Sequence, residues 1–261
     1  MTTSLSDTVW LSEKRTNLLL LLMEGPRNIE QIKTSLNVTS RGMMPQIKKL
    51  IEMHLVVEDD AYYQLSSMGE LIVKSMLPLL NTIHMLDENM DYWQYHDLSA
   101  LPDHLFKRLQ ELGNYLLIEP DRNHTFEIPR EFTQNLSKSR NIMALISFFR
   151  PEYLKFYCDL IENAESISII LTSSVFERMK KNCKDELLTL LAADNADVFL
   201  FNESNRPPTI DVSEWFLYIS FLDKDGRYDH NDIMSFDEGA LIWGQELFHY
   251  YQELSERLDN I

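Results

Sequence analysis

Cysteine and glycine are both scarce in this 261-residue chain. The two cysteines, Cys158 and Cys183, cannot build a disulfide framework and lack metal-ligand spacing, so we expect free thiols in a reducing compartment. A redox pair is the alternative interpretation. The seven glycines are too scattered to form a Gly-rich loop that cradles phosphate. The sequence therefore predicts neither a disulfide scaffold nor a nucleotide-binding loop.

Long apolar runs are missing as well. No stretch approaches the roughly 20 apolar residues that are needed to cross a bilayer. Residues 1–10 also lack a basic segment followed by an apolar one, which is the pattern of a secretory signal. The sequence predicts a cytoplasmic protein without a membrane partner.

Motifs that carry catalysis are also missing. The seven histidines form no H-E-x-x-H, no paired metal spacing and no H-x-K-x-x-x-x-D of the phospholipase D type. Carboxylates are abundant, but no spacing assigns two of them to general acid and base work. His230 lies between Asp229 and Asn231, where a cation site and a solvated turn are alternative interpretations. The sequence predicts no catalytic residue, no metal, no cofactor and a protein that is not an enzyme.

Basic residues are outnumbered, with 24 Lys and Arg against 41 Asp and Glu and a formal net charge of −17. Nucleic acids bind basic surfaces, so an evenly spread charge of this sign would argue against them. The charge is not evenly spread. Residues 1–77 hold eight basic and nine acidic side chains, a balance of −1, which leaves −16 for the remainder. A nearly neutral first part can present a local basic face.

The first 66 residues show the order of a winged helix-turn-helix. Ser12 and Asn28 are suited to cap helices, Gly25-Pro26 stops the first helix, and Asn37 suits a left-handed turn after the second. The helices include residues 18–23, 29–36 and 41–55, and a hairpin pattern follows at 56–57 and 62–65. Three helices followed by a hairpin favour DNA binding.

The third helix is the candidate recognition helix. Met43, Ile47 and Leu50 fall at intervals of four and three, which places them on one face and leaves polar and basic residues on the other flanks. This build is typical of a helix that enters a major groove, and an ordinary surface helix is the alternative. The candidate DNA-binding residues are Lys14, Arg15, Thr39, Ser40, Arg41, Gln46, Lys48 and Lys49, with phosphate contact assigned to Lys14, Arg15, Lys48 and Lys49.

Two features of this region oppose the DNA-binding interpretation. Pro45 lies inside the third helix, where it lacks an N–H and crowds the Arg41 carbonyl. Either the helix starts near Arg41-Gly42, so that Pro45 falls in its opening turn, or the helix bends. The expected wing tip, Glu58-Asp59-Asp60, carries three carboxylates where a basic residue would contact phosphate. We therefore expect the wing not to press against the DNA backbone.

Residues 67–96 are predicted to form a linking and dimerisation helix. Apolar residues recur at alternating intervals of four and three, and Pro78 predicts a kink. A seam between two copies is the functional interpretation, and burial against the second domain of the same chain is the alternative. The positions that make the repeat are Ile72, Met76, Leu79, Ile83, Leu86, Met90 and Trp93.

Residues 97–261 alternate short apolar runs with helical patterns, which predicts an α/β domain with a largely parallel sheet. Runs of strand length occupy 115–118, 142–149, 167–171 and 198–201, and helical patterns occupy 99–112, 131–136, 152–163, 175–193 and 239–258. A turn signal at 223–226 predicts a hairpin between 215–222 and 232–236. The predicted fold class is thus α+β / α/β, with a winged helix-turn-helix (1–66), a linking helix (67–96) and an α/β domain that senses an effector (97–261).

Open α/β sheets bind ligands at the carboxyl ends of their parallel strands. The loops expected there contain two arginines suited to a small anionic effector and a Ser-Ser pair that opens a helix. Pairing of both arginines with neighbouring acids is the alternative. The candidate effector-binding residues are Arg150, Tyr153, Ser173, Ser174 and Arg206.

Four short motifs carry a family resemblance that spans essentially the whole chain. They are Ser12-Glu13-Lys14-Arg15, Pro45-Gln46-Ile47-Lys48-Lys49-Leu50, His96-Asp97-Leu98-Ser99-Ala100-Leu101-Pro102 and Trp243-Gly244-Gln245-Glu246-Leu247-Phe248. With these motifs the chain resembles archaeal winged-helix regulators whose second domain is named for a methanogenesis regulatory protein of methanogens. The resemblance implies a transcriptional regulator with a DNA-binding domain and a sensing domain. The last helix is also similar to effector domains of sugar-responsive archaeal regulators, built on a phospholipase D-like sheet without the catalytic motif.

Three functional hypotheses follow from the sequence. The first is a homodimeric regulator that binds double-stranded DNA and responds to a small molecule. The second is a protein-interaction adaptor, in which the winged helix binds protein and the acidic wing is the reason. The third is a divergent hydrolase with a DNA-tethering domain, for which a metal or phosphate bound in the second domain would be the sign.

Overall fold

A computed structural model describes residues 4–120, 128–202 and 206–259. The chain forms two compact units, Met1–Ile83 and His84–Ile261. The first is mainly helical and the second is built on a sheet, so the fold is mixed α+β.

The first unit combines helices with a small antiparallel sheet of strand order β1-β3-β2. Its helices are α1 (Leu5–Trp10), α2 (Glu13–Met23), α3 (Ile29–Leu36), α4 (Ser40–Glu52) and α5 (Ser67–Glu88), within which the boundary between the units falls. Its strands are β1 (Arg27–Asn28), β2 (Val56–Asp59) and β3 (Tyr62–Leu65). The predicted order of three helices followed by a hairpin is confirmed; helix α1 and strand β1 were not predicted.

One apolar core holds the first unit together. It takes Leu18, Leu19 and Leu22 from α2 and Ile32 from α3, and it closes on the buried face of α4. Full burial of each such side chain contributes roughly 1.5–3 kcal/mol. The three residues predicted to share the buried face of α4, namely Met43, Ile47 and Leu50, are each 0% exposed.

Helix α4 differs from its prediction at both ends. It begins at Ser40, so Pro45 is its sixth residue rather than part of the opening turn. Because Pro45 has no N–H, the Arg41 carbonyl lacks its usual helical donor. The helix ends at Glu52 instead of Leu55, because His54 adopts a left-handed backbone with φ 58°.

The second unit contains a longer set of elements. Its helices are α6 (Met90–Tyr95), α7 (Asp103–Phe106), a 3-10 helix (Leu109–Leu112), α8 (Arg130–Leu136), α9 (Pro151–Leu160), α10 (Ser173–Asn182), α11 (Lys184–Ala192) and α12 (Glu238–Glu253). Its strands are β4 (Leu116–Ile118), β5 (Asn141–Ile146), β6 (Ser166–Thr172), β7 (Ala196–Phe201), β8 (Thr209–Ser213), β9 (Leu217–Ser220), β10 (Asp232–Ser235) and β11 (Glu256–Arg257).

The sheet of the second unit is mixed, which corrects the expectation of a largely parallel one. Its strand order is β11-β7-β6-β5-β8-β9-β10-β4, and only the pairs β5–β6 and β6–β7 are parallel among the described strands. Strand β8 was missed because Asp211 and Ser213 interrupt its apolar pattern, although every residue of the strand is buried. The predicted hairpin of β9 and β10 is confirmed.

Helices cover both faces of this sheet. On strand β5, Leu145 contributes to a core with α12, whereas Ala144 and Ile146 contribute to a second core with α8, α9, α10 and α11. This alternation is the period of two that a strand buried on both faces must have. The sheet is therefore the middle of three layers.

The expected helix from 67 to 96 is two helices. Asn89 leaves helical conformation, with φ −140° and ψ 54°, and separates α5 from α6. The heptad positions also have different surroundings. Met76 and Trp93 are buried in separate cores, whereas Leu79, Ile83 and Met90 are 50%, 45% and 59% exposed.

The helix expected from Ser99 to Leu112 is also interrupted. The Ser99 N–H donates to the Asp97 carboxylate, which makes a turn rather than a helix cap. Pro102 is extended, with ψ 143°, so α7 begins only at Asp103. Helix α12 begins at Glu238, one residue before its predicted start, but it ends at Glu253 instead of Leu258, and the short strand β11 follows.

Candidate functional sites

Side-chain caps set the corner between α3 and α4. Asn28 accepts a hydrogen bond from the Gln31 N–H at 3.0 Å, and the Gln31 side chain accepts from the Asn28 N–H at 2.9 Å. Asn37 ends α3 in a left-handed backbone with φ 50°. Thr39, a predicted DNA-binding residue, then caps α4 by accepting from the Gly42 N–H at 3.2 Å. Thr39 therefore orients the start of the candidate recognition helix.

The outer face of α4 is polar and positively charged. Arg41 and Lys48 are exposed, and Ser40, Gln46 and Lys49 are half-buried beside them. Lys49 Nζ lies 3.9 Å from Glu52, an exposed pair of the kind that contributes little to stability. The predicted polar side of residues 41–49 thus lies on the surface of the first unit, opposite its buried apolar face.

Arg15 is held within the first unit. Its guanidinium donates to the carbonyls of Asp7 and Thr8 in α1 and to Oε1 of Gln46 in α4, the last at 2.9 Å. These contacts join α1, α2 and α4 through one side chain. Arg15 and Gln46 were both predicted to contact DNA, and the structure joins their side chains by a hydrogen bond.

Lys14 places a positive charge near α4, whereas the wing, formed by β2, β3 and the turn between them, carries negative charges. Lys14 is exposed, and its Nζ lies 3.6 Å from the position that a Cβ atom would occupy at Gly42. Its charge therefore lies beside the first turn of α4. The wing turn is formed by Asp60 and Ala61, both left-handed, with φ 47° and 63°. Glu58, Asp59 and Asp60 are all exposed.

Arg150 lies in the loop that follows β5 and is 9% exposed. Its Cζ lies 5.7, 5.6 and 5.0 Å from the ring centroids of Phe148, Tyr153 and Tyr228. The same guanidinium donates to Nδ1 of His230. Burial and the Arg150 charge lower the pKa of His230, while burial, partly opposed by Arg150, raises the pKa of Tyr153.

The other candidate effector residues lie at the same edge but are not joined to Arg150. Ser173 donates to Asn202 Oδ1 at 2.6 Å and to the Phe201 carbonyl at 3.2 Å, across the ends of β6 and β7. Ser174 contacts Thr172. Arg206 is exposed and donates to the Asp225 carbonyl at 3.3 Å. Neither Arg150 nor Arg206 forms an ion pair within the part of the chain that the structure describes.

Two buried acids on neighbouring parts of the sheet, Asp211 and Asp232, were missed. Asp211 on β8 accepts from the Tyr157 hydroxyl, and burial, opposed by that hydrogen bond, raises its pKa to about 7. Asp232 on β10 accepts from the hydroxyls of Tyr218 and Tyr228. Burial raises the pKa of Asp232 against the effect of nearby hydroxyls and Arg150. Isolated acids in strand patterns carry no sequence signal of this kind.

The polar run that suggested a cation site separates in space. His230 faces Arg150, whereas Asp229 faces His96 and receives hydrogen bonds from Asn231. Across residues 4–120, 128–202 and 206–259 no group of three His, Cys, Asp or Glu side chains is arranged to hold a metal ion. No helix within those ranges is both long and apolar enough to span a bilayer.

Family profiles match both units of the chain. Residues 8–84 match the N-terminal domain of methanogenesis regulatory protein FilR1, and residues 125–254 match its middle domain. The chain belongs to the FilR1 family. FilR1 of Methanothrix harundinacea (strain 6Ac) is 23% identical over 253 residues, which is 95% of this chain and 56% of that protein. The chain thus spans little more than half the length of this FilR1 relative.

Of the four short motifs that carry the resemblance, the two in the second unit consist mainly of packing residues. Trp243 donates to the Leu105 carbonyl at 3.0 Å, and a Cβ at Gly244 would lie 2.6 Å from Leu217. In the other motif, the Asp97 N–H donates to the Leu222 carbonyl at 2.8 Å. These residues attach α12 and the segment after α6 to the sheet.

Solved structures resemble this FilR1-family chain only distantly. The archaeal chromatin protein TrmBL2 is 12% identical, with a TM-score of 0.44 over 98% of this chain and 100% of that one. The dimethyltransferase RosA from Streptomyces davawensis is 14% identical, with a TM-score of 0.25 over 76% of this chain and 62% of that one. At these scores the similarities assign no function.

Proposed function

We propose that this protein is a DNA-binding transcriptional regulator that acts as a homodimer and responds to a small molecule. The observation that carries the proposal is the exposed basic face of α4, held by a capped corner on a compact core. A helix of this build, followed by a hairpin, suits insertion into a major groove. Residues 1–66 would be the winged helix-turn-helix, with Arg41, Gln46 and Lys48 reaching DNA.

Family membership supports the regulatory part of the proposal. The FilR1 relative is named a methanogenesis regulatory protein, and both of its matched domains are present here. The role proposed for this chain by analogy with FilR1 is regulation of transcription, with α4 binding DNA and residues 97–261 as the sensing domain. The phospholipase D-like relationship of that domain stays a prediction.

Helix α5 supports the homodimer. Leu71, Leu79 and Ile83 are 68%, 50% and 45% exposed and follow one another at eight and four residues, close to one helical face. Met68, 49% exposed, extends this apolar stripe toward the start of the helix. Two copies that buried the stripe would present two α4 helices, which adds their DNA contacts.

The response to a small molecule is assigned to the edge of the sheet that contains Arg150. A guanidinium held by aromatic rings, without an ion pair among the described residues, is suited to an anionic group. Tyr153 is part of this aromatic surround, and Ser173, Ser174 and Arg206 lie on neighbouring loops of the same edge.

One observation favours the adaptor hypothesis as a second candidate. The wing presents exposed Glu58, Asp59 and Asp60 beside the exposed apolar residues Val57 and Tyr62. An acidic and apolar surface suits a basic protein partner better than phosphate. Binding of a protein in the absence of DNA, lost on changing the wing, would favour this candidate.

Selection from genomic DNA tests the proposed function. The full chain is mixed with fragmented genomic DNA, bound fragments are recovered and sequenced, and the Arg41→Gln chain is processed in parallel. The proposal predicts discrete enriched sites for the natural chain and their loss for the variant. Recovery of no enriched sites, or of the same sites with both proteins, would overturn it.

A further inference from the structure

Four buried side-chain atoms that ordinarily form hydrogen bonds have no partner among the described residues. They are the Tyr92 hydroxyl, Arg150 Nη1, the Ser220 hydroxyl and Asp232 Oδ1. Buried polar groups in folded proteins are nearly always paired, and each one left unpaired costs about 1–3 kcal/mol. Four of them therefore require an explanation.

The four atoms share one neighbourhood, although their residues lie up to 140 positions apart in the sequence. Ile233 pairs with Ile219 across β9 and β10, so the antiparallel register places Asp232 beside Ser220. The Ser220 hydroxyl lies near enough to lower the pKa of Asp232, yet outside hydrogen-bond geometry. Arg150 lowers the same pKa, and the charge of Asp232 acts on Tyr92. Asp232 thus lies beside Ser220 in the sheet and within range of charge interactions with Arg150 and Tyr92.

This neighbourhood lies at the ligand-binding edge predicted for the sheet. Ile210 on β8 pairs with Leu145 on β5 and with Ile219 on β9, so one row of residues crosses the sheet from β5 to β10. Ser220 and Asp232 lie one position beyond that row, toward the carboxyl end of β5. Arg150 follows that same end of β5 in the chain.

The Arg150 guanidinium and the Asp232 carboxylate are both held in place by neighbouring side chains, yet each keeps one atom without a hydrogen bond. Three aromatic rings and His230 hold the Arg150 guanidinium without neutralising its charge. Hydroxyls of Tyr218 and Tyr228 occupy Oδ2 of Asp232 at 2.5 and 2.7 Å and leave Oδ1 without a donor. A preorganised set of one cationic donor, one carboxylate acceptor and two hydroxyls is therefore present.

We propose that Arg150, Asp232, Ser220 and Tyr92 bind a small hydroxycarboxylate. The ligand carboxylate accepts from Arg150 Nη1, because the guanidinium is the only permanently charged donor of the four. The ligand hydroxyl donates to Asp232 Oδ1 and accepts from Ser220 or Tyr92. A simple carboxylate would leave Oδ1 unpaired, and a simple alcohol would leave the Arg150 charge without an anion.

The segment 223–231 covers the site and would have to move for a ligand to enter. Asp232 is 1% and Arg150 9% exposed, whereas Tyr228, Asp229 and His230 are half-buried. His230 adopts a left-handed backbone with φ 67°, a conformation that costs energy in a residue with a side chain. Tyr92 belongs to α6, so a bound ligand would contact the segment that follows α5. An effect of the bound ligand on DNA binding rests on the proposed function.

Calorimetric titration of the full chain without DNA tests the site. Glycolate is the probe, and acetate and ethylene glycol are its matched controls, because each carries one of its two groups. We expect saturable binding of one glycolate per chain, at least about tenfold tighter than acetate, a difference of about 1.4 kcal/mol. Ethylene glycol should give no measurable binding.

Four variants distinguish a ligand site from a structural defect. Ser220→Ala and Tyr92→Phe remove only unpaired hydroxyls, so they should raise the thermal midpoint of the free protein and weaken glycolate binding severalfold. Arg150→Lys should abolish binding if it folds, and Arg140→Gln, an exposed arginine paired with Glu165, should leave binding unchanged.

Two results would overturn the inference. One is the absence of saturable glycolate binding in the natural chain, including the case in which Ser220→Ala and Tyr92→Phe change stability alone, since ordered water would then fill the site. The other is binding that Ser220→Ala, Tyr92→Phe and Arg150→Lys leave unchanged. Since no DNA is present, failure of the regulatory proposal would not affect either result.

Discussion

His96 Nε2 lies 3.3 Å from Oδ1 of Asp229, and Nδ1 of the same buried ring lies 2.7 Å from the Tyr92 carbonyl. The ring also stacks on Tyr92 with centroids 3.8 Å apart. The Lys224 N–H donates to the Tyr95 carbonyl at 3.2 Å. The end of α6 is thus tied to the segment that covers the buried polar site.

The His96–Asp229 pair should make stability depend on pH. Burial lowers the pKa of His96, but the hydrogen bonds to Asp229 and to the Tyr92 carbonyl outweigh it and raise that pKa. Burial raises the pKa of Asp229, but hydrogen bonds from His96 and Asn231 outweigh it and lower that pKa to about 2. The His96 contribution is complete below its unfolded pKa, roughly 6.5, and is lost as pH rises through the higher folded value. The Asp229 contribution is complete above roughly pH 4 and is lost toward pH 2.

Thermal unfolding midpoints of His96→Gln across pH 4 to 9 would measure this contribution. The variant should be less stable than the natural chain, most clearly between about pH 4 and 6.5, and the difference should shrink at higher pH. His84→Gln, which changes an exposed histidine near Glu88, is the control. A His96→Gln deficit that stays constant across the range would contradict the assignment.

Asp211 should also make stability depend on pH. Its substitution should remove a loss of stability, whereas substitution of His96 should cause one. Burial raises its folded pKa to about 7 from an ordinary 3.8, so the unfolded chain ionises first as pH rises. The Asp211 contribution to stability is therefore complete below about pH 4 and declines up to about pH 7, by an amount on the order of 4 kcal/mol. Asp211→Asn keeps an acceptor for Tyr157 and should remove this decline.

Denaturant unfolding of Asp211→Asn at pH 5 and pH 8 would check the sign. The variant should gain stability relative to the natural chain on going from pH 5 to pH 8. An equal difference at both values would show that Asp211 does not titrate in this window.

Arg15 and Lys14 are adjacent but should respond differently to loss of their side chains. Arg15→Ala removes hydrogen bonds from α1 and from Gln46, so it should destabilise the first unit by roughly 1–3 kcal/mol. Lys14→Ala removes an exposed charge and should weaken DNA binding with little effect on stability. Denaturation curves and DNA titrations of both variants would separate the two roles. Equal stability of the two variants would contradict the role assigned to Arg15.

The apolar stripe of α5 predicts a dimer that charge can dissociate. Leu79→Glu with Ile83→Glu would bury carboxylates in the proposed interface, so light scattering at micromolar concentration should show a monomer. Leu188→Glu changes a similarly exposed leucine on α11 and should leave the dimer intact. A monomeric natural chain, or a dimer that survives both substitutions, would rule out this interface.

Local sequence was sufficient for parts of the fold. Helix α3 was predicted with its observed bounds because Asn28 caps it and Asn37 ends it, and both signals lie within the segment itself. Strand β8 could not be recognised because Asp211 and Ser213 are polar yet buried. Their burial depends on tertiary partners such as Tyr157, which a local pattern does not contain.

The candidate sites likewise contain features that local sequence predicts and features that depend on tertiary contacts. The buried and exposed faces of α4 follow from helical spacing alone, so the exposure of Arg41 and Lys48 could be predicted, whereas their contact with DNA stays a prediction. The hydrogen bonds of Arg15 could not be predicted because its partners, including Gln46, lie on other helices, and its contact with phosphate stays a prediction. The buried polar cluster around Asp232 was missed because Tyr92, Arg150 and Ser220 are distant from it in the sequence and approach it only in the folded chain.

The contact of α4 with DNA is tested most directly by fluorescence anisotropy on a duplex recovered from the genomic selection. Arg41→Gln should weaken binding by about 1–3 kcal/mol and relax sequence preference. Lys48→Gln should weaken all sequences alike and lower the salt slope by about one unit. Lys181→Gln, with the same loss of charge in the second unit, should bind as the natural chain does. Equal affinities and salt slopes for all four proteins would contradict the account.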